Sequence, residues 1–199
     1  MHPNACFGWD DRAAMRQLVA EVGLGTLFAA TPDGPRVAHV PVVWQDDTLL
    51  FHLARRNALT SHLDGATALF TVTGPHAYVS PDWYGLDASQ VPTWNYCAVE
   101  LEGSVRAIDH DALVAQLDAL AAAEETRLAP KPAWTRAKMD PAAFDAMLRG
   151  IAGFSLRIEH WRGTRKLGQN KPAHARLAAA DALAAAGNAA LAGAMRQVS

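Results

Sequence analysis

The sequence contains few cysteines, no long apolar run and no excess of charge of one sign. Only Cys6 and Cys97 occur in the 199 residues. They are far apart and lack a C-x-x-C partner, which argues against a disulfide framework or a thiolate zinc site. Because no stretch of about 18 apolar residues is present, we expect no membrane span. The start of the chain also lacks the basic and apolar regions of a signal peptide, so we expect a cytoplasmic protein.

The charge balance and the absence of several enzyme motifs exclude further classes of function. A formal net charge of -2, from 18 basic and 20 acidic residues, gives no overall field that would draw the chain to nucleic acid or to an anionic membrane. Among the motifs of enzymes, we find no Ser-His-Asp order, no Walker loop, no G-x-G-x-x-G and no suggestive carboxylate pair. Catalytic residues therefore stay unassigned.

The N-terminal third predicts one helix followed by two hairpins. Asp10 is the predicted N-cap of an amphipathic helix that ends at Val22. Short apolar runs then predict strands at 27–30, 37–44 and 48–54, separated by turn-forming residues. Asn57 is expected to cap a short helix that ends near His62.

The rest of the chain predicts further strands, two helices and a tail. We expect strand at 66–73 and 76–80, continuing past a bend at 74–75 with a bulge. An ordered excursion at 81–96, strand at 99–106, helices that begin at Asp109 and Asp140, and a last strand at 154–159 follow. Six or seven strands that close late favour a small antiparallel barrel. From residue 171 the chain is rich in alanine and is predicted to be helical, with little area for docking, so that it either frays or packs on a second subunit.

A strand end rich in arginine is a candidate phosphate site. The run from Phe51 to Asn57 places Ala54, Arg55 and Asn57 where a strand is expected to enter a helix. Free backbone N–H groups at such a terminus and the fork of an arginine both suit a phosphate. The alternative is that Arg55 and its neighbour Arg56 are solvated surface charges.

Two histidines fall on predicted neighbouring strands. His39 and His52 could approach each other across the hairpin and hold a metal ion or heme. However, none of the eight histidines has the H-x-H or H-E-x-x-H spacing. A histidine bonded within the core is the more frequent case, and we expect no metal site.

Aromatic and polar side chains concentrate in two segments, 74–84 and 91–96. Residues of this kind suit a planar heteroaromatic ring, which gains from stacking and from a few oriented hydrogen bonds. An aromatic core or a dimer interface is the alternative interpretation. The later segment 163–170 either cradles an anion or forms a basic surface turn.

Taken in order along the chain, these strings resemble the PaiB family, which is described as FMN-binding negative transcriptional regulators. The resemblance is carried by His39-Val40-Pro41, the 52–57 run, G-P-H-A-Y-V-S-P-D-W-Y at 74–84, V-P-T-W-N-Y at 91–96 and K-L-G-Q-N at 166–170. It extends from Met1 to Asn170, so we divide the chain into a split-barrel domain at 1–170 and a helical tail at 171–199. Two departures are Gly168 in place of serine and Ala58 in place of proline.

The resemblance implies a mainly β fold with flanking helices. The expected architecture is a six- or seven-stranded antiparallel Greek-key split barrel, similar to pyridoxamine-phosphate oxidases, in which two subunits form two FMN sites at their interface. The residues that would bind the cofactor are His39, Val40, Pro41, His52, Ala54, Arg55, Asn57, Tyr78, Ser80, Trp83, Trp94, Asn95, Lys166 and Gln169.

Our main hypothesis is a homodimeric FMN-binding sensor and negative transcriptional regulator. A flavin-dependent oxidoreductase that acts on an unidentified small molecule is one alternative, and a heme-binding split barrel is another. DNA enters as a partner only through a local basic surface, for which Arg162, Arg165, Lys166 and Lys171 are the candidates.

Overall fold

A computed structural model describes residues 3–87 and 89–198, and these contain eight strands and five α-helices. The strands are β1 (Gly8–Trp9), β2 (Leu24–Thr31), β3 (Gly34–Pro41), β4 (Val43–Gln45), β5 (Thr48–Ala54), β6 (Thr67–Val79), β7 (Thr93–Ala107) and β8 (Ile151–Lys166). The helices are α1 (Arg12–Val22), α2 (His110–Thr126), α3 (Pro141–Leu148), α4 (Ala173–Ala185) and α5 (Ala189–Gln197). The two shortest strands, β1 and β4, account for the difference from the six or seven expected.

All the strands belong to one sheet. Its order is β3-β2-β6-β7-β8-β5-β4, and β1 pairs with β8 outside this path. The pairs β2–β3 and β4–β5 are antiparallel hairpins, as predicted, and β2–β6 and β5–β8 are antiparallel as well. β3 also contacts β5, although the two are not hydrogen-bonded neighbours.

The chain divides into two compact units. Unit 1 consists of residues 3–18, 72–100 and 162–198 apart from residue 88, and unit 2 of residues 19–71 and 101–161. The long strands β6, β7 and β8 each contribute residues to both units. The helical tail groups with residues 72–100 in unit 1.

The core of unit 2 follows the alternation of its strands. Leu27, Val40 and Leu101 are fully buried, and Phe51 on β5 stacks on Phe154 on β8 with ring centroids 5.6 Å apart. Helix α2 packs against β4 and β5. Its N-cap is Asp109, as predicted, whose carboxylate accepts the N–H of Ala112 at 2.9 Å.

The alanine-rich tail forms the core of unit 1, so the expectation of a fraying or weakly docked segment is wrong. Leu183 on α4 and Met195 on α5 are fully buried in a cluster with Val79 and Leu167. The small side chains make this packing close, since Ala179 is also fully buried.

Several helix and strand boundaries in the structure differ from the predicted ones. The cap of α1 is Asp11, whose carboxylate accepts the N–H of Ala14 at 3.0 Å, rather than Asp10. Strand β6 runs through the expected bend at 74–75 without interruption. The segments 93–96 and 163–166 are strand, because β7 begins at Thr93 and β8 continues to Lys166. Among the described residues, no helix combines the length and the apolar character needed to cross a membrane.

Candidate functional site

The end of β5 carries the arginine predicted to bind phosphate. β5 pairs with β8 as far as Ala54, and the backbone N–H of Arg55 then donates to the carbonyl of Gly150 at 2.9 Å. The Nε of Arg55 donates to the carbonyl of Arg149 at 3.0 Å. The two terminal nitrogens of Arg55 have no hydrogen-bond partner among the described residues. A fixed guanidinium with free terminal N–H groups suits bidentate binding of an anion.

The residues after Arg55 form a compact turn instead of the predicted helix N-terminus. Asn57 Oδ1 accepts the N–H of Leu59 at 2.9 Å, and the Thr60 hydroxyl donates to the carbonyl of Ala54 at 2.8 Å. Only a three-residue 3-10 turn, Thr60–His62, follows. The expected helix dipole is therefore missing, and any affinity for phosphate here has to come from side chains such as Arg55 and the free amide nitrogen of Asn57.

Arg55 lines a cavity of about 470 Å3 within unit 2. Apolar side chains from α2 and α3, including Leu113 and Leu148, form part of its wall. The other titratable residues of the lining are of both signs: Arg149, His110, Asp109 and Asp145. A volume of this size is typical of small-molecule sites. No local pattern predicts a role for Arg149 or His110, because their positions depend on where α2 and α3 meet the sheet.

His39, Val40 and Pro41 lie at the end of β3. His39 is on the exposed face, where its Nδ1 is hydrogen-bonded to the Thr26 hydroxyl at 3.1 Å. Val40 points into the core and is fully buried, whereas Pro41 is half-buried. Of the three, His39 presents the most accessible polar group.

His52 lies on β5 and faces α2. Its Nδ1 donates to Gln116 Oε1 at 3.2 Å, and burial lowers the pKa of His52, with the Gln116 bond opposing this in part. The Nε2 of Gln116 is buried without a partner among the described residues. His39 and His52 are not cross-strand partners in one hairpin, because His39 pairs with Thr26 and His52 with Gly153.

Unit 1 presents an exposed aromatic face. Tyr78 on β6 is 47% exposed and Trp94 on β7 is 56% exposed. The ring of His76 lies 6.2 Å from that of Trp94, with the planes tilted by 32°. These rings are available for stacking.

The other residues predicted in this part of the chain are engaged within the fold. The Ser80 hydroxyl caps a short turn by accepting the N–H of Asp82, and Trp83 packs against the apolar cluster of unit 1. Asn95 is only 1% exposed, with its amide nitrogen on the Met195 sulfur at 3.5 Å. Burial raises the pKa of Tyr84, which also hydrogen-bonds with Asn95.

The side chain of Gln169, just after β8, has a structural role. Its Oε1 accepts the N–H of Leu167 at 2.8 Å, and its Nε2 donates to the carbonyl of Arg165. Lys166 donates to the Thr93 hydroxyl and lies 6.0 Å from the ring centroid of Phe7. Between them, Gly168 has a φ of +84°, which favours glycine over the serine of the family motif.

The described residues contain no cluster of three or more His, Cys, Asp and Glu side chains that could hold a metal ion.

Comparison with known proteins decides the family. Residues 1–160 match the model of the family described as "Putative FMN-binding domain". The chain belongs to this FMN-binding family. It is also 30% identical over 158 residues to the protease synthase and sporulation protein PAI 2 of Bacillus subtilis, a match that covers 77% of this chain and 74% of that protein. The resemblance to the PaiB family is thereby confirmed, and so is FMN as the cofactor of the family.

Solved structures confirm the split-barrel fold. The FMN-binding chain is similar to the FAD and heme binding protein of Mycobacterium smegmatis, with a TM-score of 0.62 and 22% identity, covering 81% of this chain and 74% of that one. It is similar to the flavocytochrome Anf3 of Azotobacter vinelandii, with a TM-score of 0.62 and 17% identity, covering 84% of this chain and 73% of that one. At these identities the likeness concerns the fold alone.

The described residues of the FMN-binding chain fit the phosphate end of the cofactor. Arg55 offers two terminal nitrogens without partners, and Asn57 offers its amide nitrogen. Both belong to the turn that follows β5 in unit 2.

Proposed function

We propose that the chain is a cytoplasmic, homodimeric FMN-binding protein in which Arg55 binds the phosphate of the cofactor. The supporting observation is the position of Arg55 at the wall of the 470 Å3 cavity, held by its Nε while its terminal nitrogens stay available. Bound FMN would supply electron-transfer chemistry, and the residues of the chain bind and orient it.

The remaining predicted residues divide by accessibility. The amide nitrogen of Asn57, beside Arg55, is available to donate a hydrogen bond to a ligand. His39 offers its Nε2, because its Nδ1 is bonded to Thr26. In unit 1, the exposed rings of Tyr78 and Trp94 are available to stack on an aromatic ring. Four other predicted residues have side chains that are buried, packed in the apolar cluster or already hydrogen-bonded: Val40, Trp83, Asn95 and Gln169.

The homodimer is supported by an apolar face that unit 2 exposes. Leu24, Phe28 and Val37 are all exposed on one face of the β2–β3 hairpin, and Phe28 is directly opposite Val37. Exposed apolar side chains on one face of a sheet are typical of an interaction surface, and here Thr26 and His39 lie between Leu24 and the pair of Phe28 and Val37. A second copy of the chain is the occupant that the family resemblance implies.

We propose that FMN binding serves a sensor role in negative regulation of transcription. Direct contact with DNA is not favoured by the four basic residues considered above. Arg162 forms an ion pair with Glu100 at 2.9 Å, Arg165 lies 5.0 Å from the ring centroid of Trp9, and Lys171 donates to Gln90. Regulation through a protein or small-molecule partner agrees better with these contacts.

The test of the phosphate assignment compares two neighbouring arginines. FMN is titrated into the wild type, Arg55→Ala and Arg56→Ala, with quenching of flavin fluorescence as the readout. Because charge-assisted hydrogen bonds contribute about 1.5–3 kcal/mol, we expect Arg55→Ala to weaken binding about tenfold or more, whereas Arg56→Ala keeps the affinity. Equal effects of the two substitutions would contradict the assignment.

The regulatory role has its own test. A reporter gene under the control of a promoter that the protein represses is measured in cells that carry the wild type, Arg55→Ala or Arg56→Ala. Repression that is lost only with Arg55→Ala would support a flavin-dependent sensor. Repression that is unchanged in both variants would contradict it.

A further inference from the structure

Unit 2 contains a second and larger cavity, which shares only Asp145 with the cavity of Arg55. It has a volume of about 650 Å3 and lies between α2 and the segment 133–145. Ala121 and Ala122 on α2 form one wall, and Trp134, Met139 and Phe144 contribute to the other. Small side chains opposite aromatic ones leave a space of the size and apolar character that small organic molecules occupy.

The aromatic wall is held in place by polar contacts. Glu125 accepts the backbone N–H of Trp134 at 2.8 Å and also pairs with Lys131. Farther along, Lys138 donates to the carbonyl of Ala133 at 2.7 Å. A segment fixed at these points keeps the cavity open without a ligand, which lowers the entropy lost on binding.

The one cation that lines the cavity is already paired. Arg136 donates to both carboxylate oxygens of Asp118, at 3.0 and 2.9 Å, and its guanidinium lies 5.1 Å from the ring centroid of Phe144. A bidentate pair of this kind leaves Arg136 little capacity to attract a further anion.

A second carboxylate lines the same cavity. Asp145 is exposed, and among the described residues none forms a hydrogen bond or an ion pair with its side chain. The pKa of Arg136 is raised mainly by its bond to Asp118, and the charge of Asp145 adds to this. With Asp118 and Arg136 neutralising each other, the charged residues of the lining carry one net negative charge. Aromatic faces such as those of Trp134 and Phe144 also attract cations.

We propose that this cavity binds a small organic amine. The apolar or aromatic body of the ligand lies against Trp134 and the alanines of α2, and its protonated nitrogen faces Asp145. An anion of the same size is disfavoured, because Asp145 repels it and Arg136 is occupied by Asp118.

The probe is 1-naphthylmethylamine, and 1-naphthoate is the anion of the same ring system. Binding is measured by isothermal titration calorimetry near neutral pH. Because an exposed ion pair contributes up to about 1 kcal/mol, we expect the amine to bind up to about fivefold more tightly than the carboxylate. No heat of binding for the amine, or equal affinity for the two compounds, would overturn the proposal.

Two substitutions on α2 locate the site. Ala122→Phe fills the cavity, whereas Ala123→Phe adds the same side chain at an exposed position of the same helix that does not line it. We expect the amine to lose most of its affinity with Ala122→Phe and to keep it with Ala123→Phe. If both variants bind the amine like the wild type, it binds elsewhere and the proposal is wrong.

The role of the carboxylate is tested with Asp145→Asn. This substitution should weaken binding of the amine several-fold. The ratio of the affinities for 1-naphthylmethylamine and 1-naphthoate should then be close to one. An unchanged preference would contradict the role of Asp145. FMN affinity is measured in the same variants, and its retention after Ala122→Phe would show that the variant is folded and that the cavity is separate from the flavin site.

Discussion

His52 on β5 and Gln116 on α2 are joined by a hydrogen bond of 3.2 Å between Nδ1 and Oε1. This bond connects the sheet to the helix that covers it, and it places an imidazole where burial penalises its charged form. The lowered pKa of His52 has burial as its largest cause, opposed by the bond to Gln116.

Acid should therefore destabilise unit 2 through His52. Below the ordinary histidine pKa of 6.5 the unfolded chain takes up a proton that folded His52 still refuses, so the free energy of unfolding falls as the pH falls, until the lowered pKa is reached. His52→Gln keeps a hydrogen-bonding side chain without titrating, and should flatten this dependence in urea unfolding between pH 7 and 5. The control is His160→Gln, at an exposed position of unit 2. Equal pH dependence in His52→Gln and the wild type would contradict the role given to His52.

The oligomeric state should depend on the exposed face of the β2–β3 hairpin. Phe28→Glu places a charge in the centre of this apolar face, opposite Val37, and should convert the dimer to a monomer. Light scattering coupled to size-exclusion chromatography gives the mass. Met147→Glu changes another exposed apolar residue of unit 2 and should leave the dimer intact. A wild type that is already monomeric would refute the dimer.

Two glycines of unit 1 should respond to alanine in opposite directions. Gly168 has a φ of +84°, and an added Cβ would lie 3.5 Å from Arg176, so the cost of Gly168→Ala arises from the backbone and amounts to about 1–2 kcal/mol. Gly193 lies inside α5 with open space around it, and Gly193→Ala should stabilise by about 0.5–1 kcal/mol. Denaturant unfolding measures both. Shifts of the same sign would contradict the conformation assigned to Gly168.

Strands were predicted well where a local pattern defines them. The bounds of β5, predicted from a short apolar run between turns, agree with the structure to the residue, and the alternating core of β7 was recognised. The end of β8 was missed because Gly163 and Thr164 are held by pairing with Trp9 and Gly8. That contact joins distant parts of the chain, and no local pattern reports it.

The burial of the helical tail was not predicted, because only the apolar area of its few large side chains was considered. The close packing that alanine allows was not. Ala175, Ala179 and Ala180 are fully buried on α4, since residues without long side chains allow close approach. The family strings located Arg55, but local sequence did not distinguish a helix start from the turn that Asn57 closes. Residues such as Arg149 and Gln116 entered the sites only through the tertiary packing of α2 and α3.

The measurement that tests the account most directly compares FMN with riboflavin, which differ by the phosphate alone. Their dissociation constants are determined for the wild type and for Arg55→Ala. If Arg55 binds the phosphate, the wild type prefers FMN by about tenfold or more, as expected for charge-assisted hydrogen bonds, and the preference collapses towards one in the variant. A preference of the same size in both proteins would mean that another group holds the phosphate.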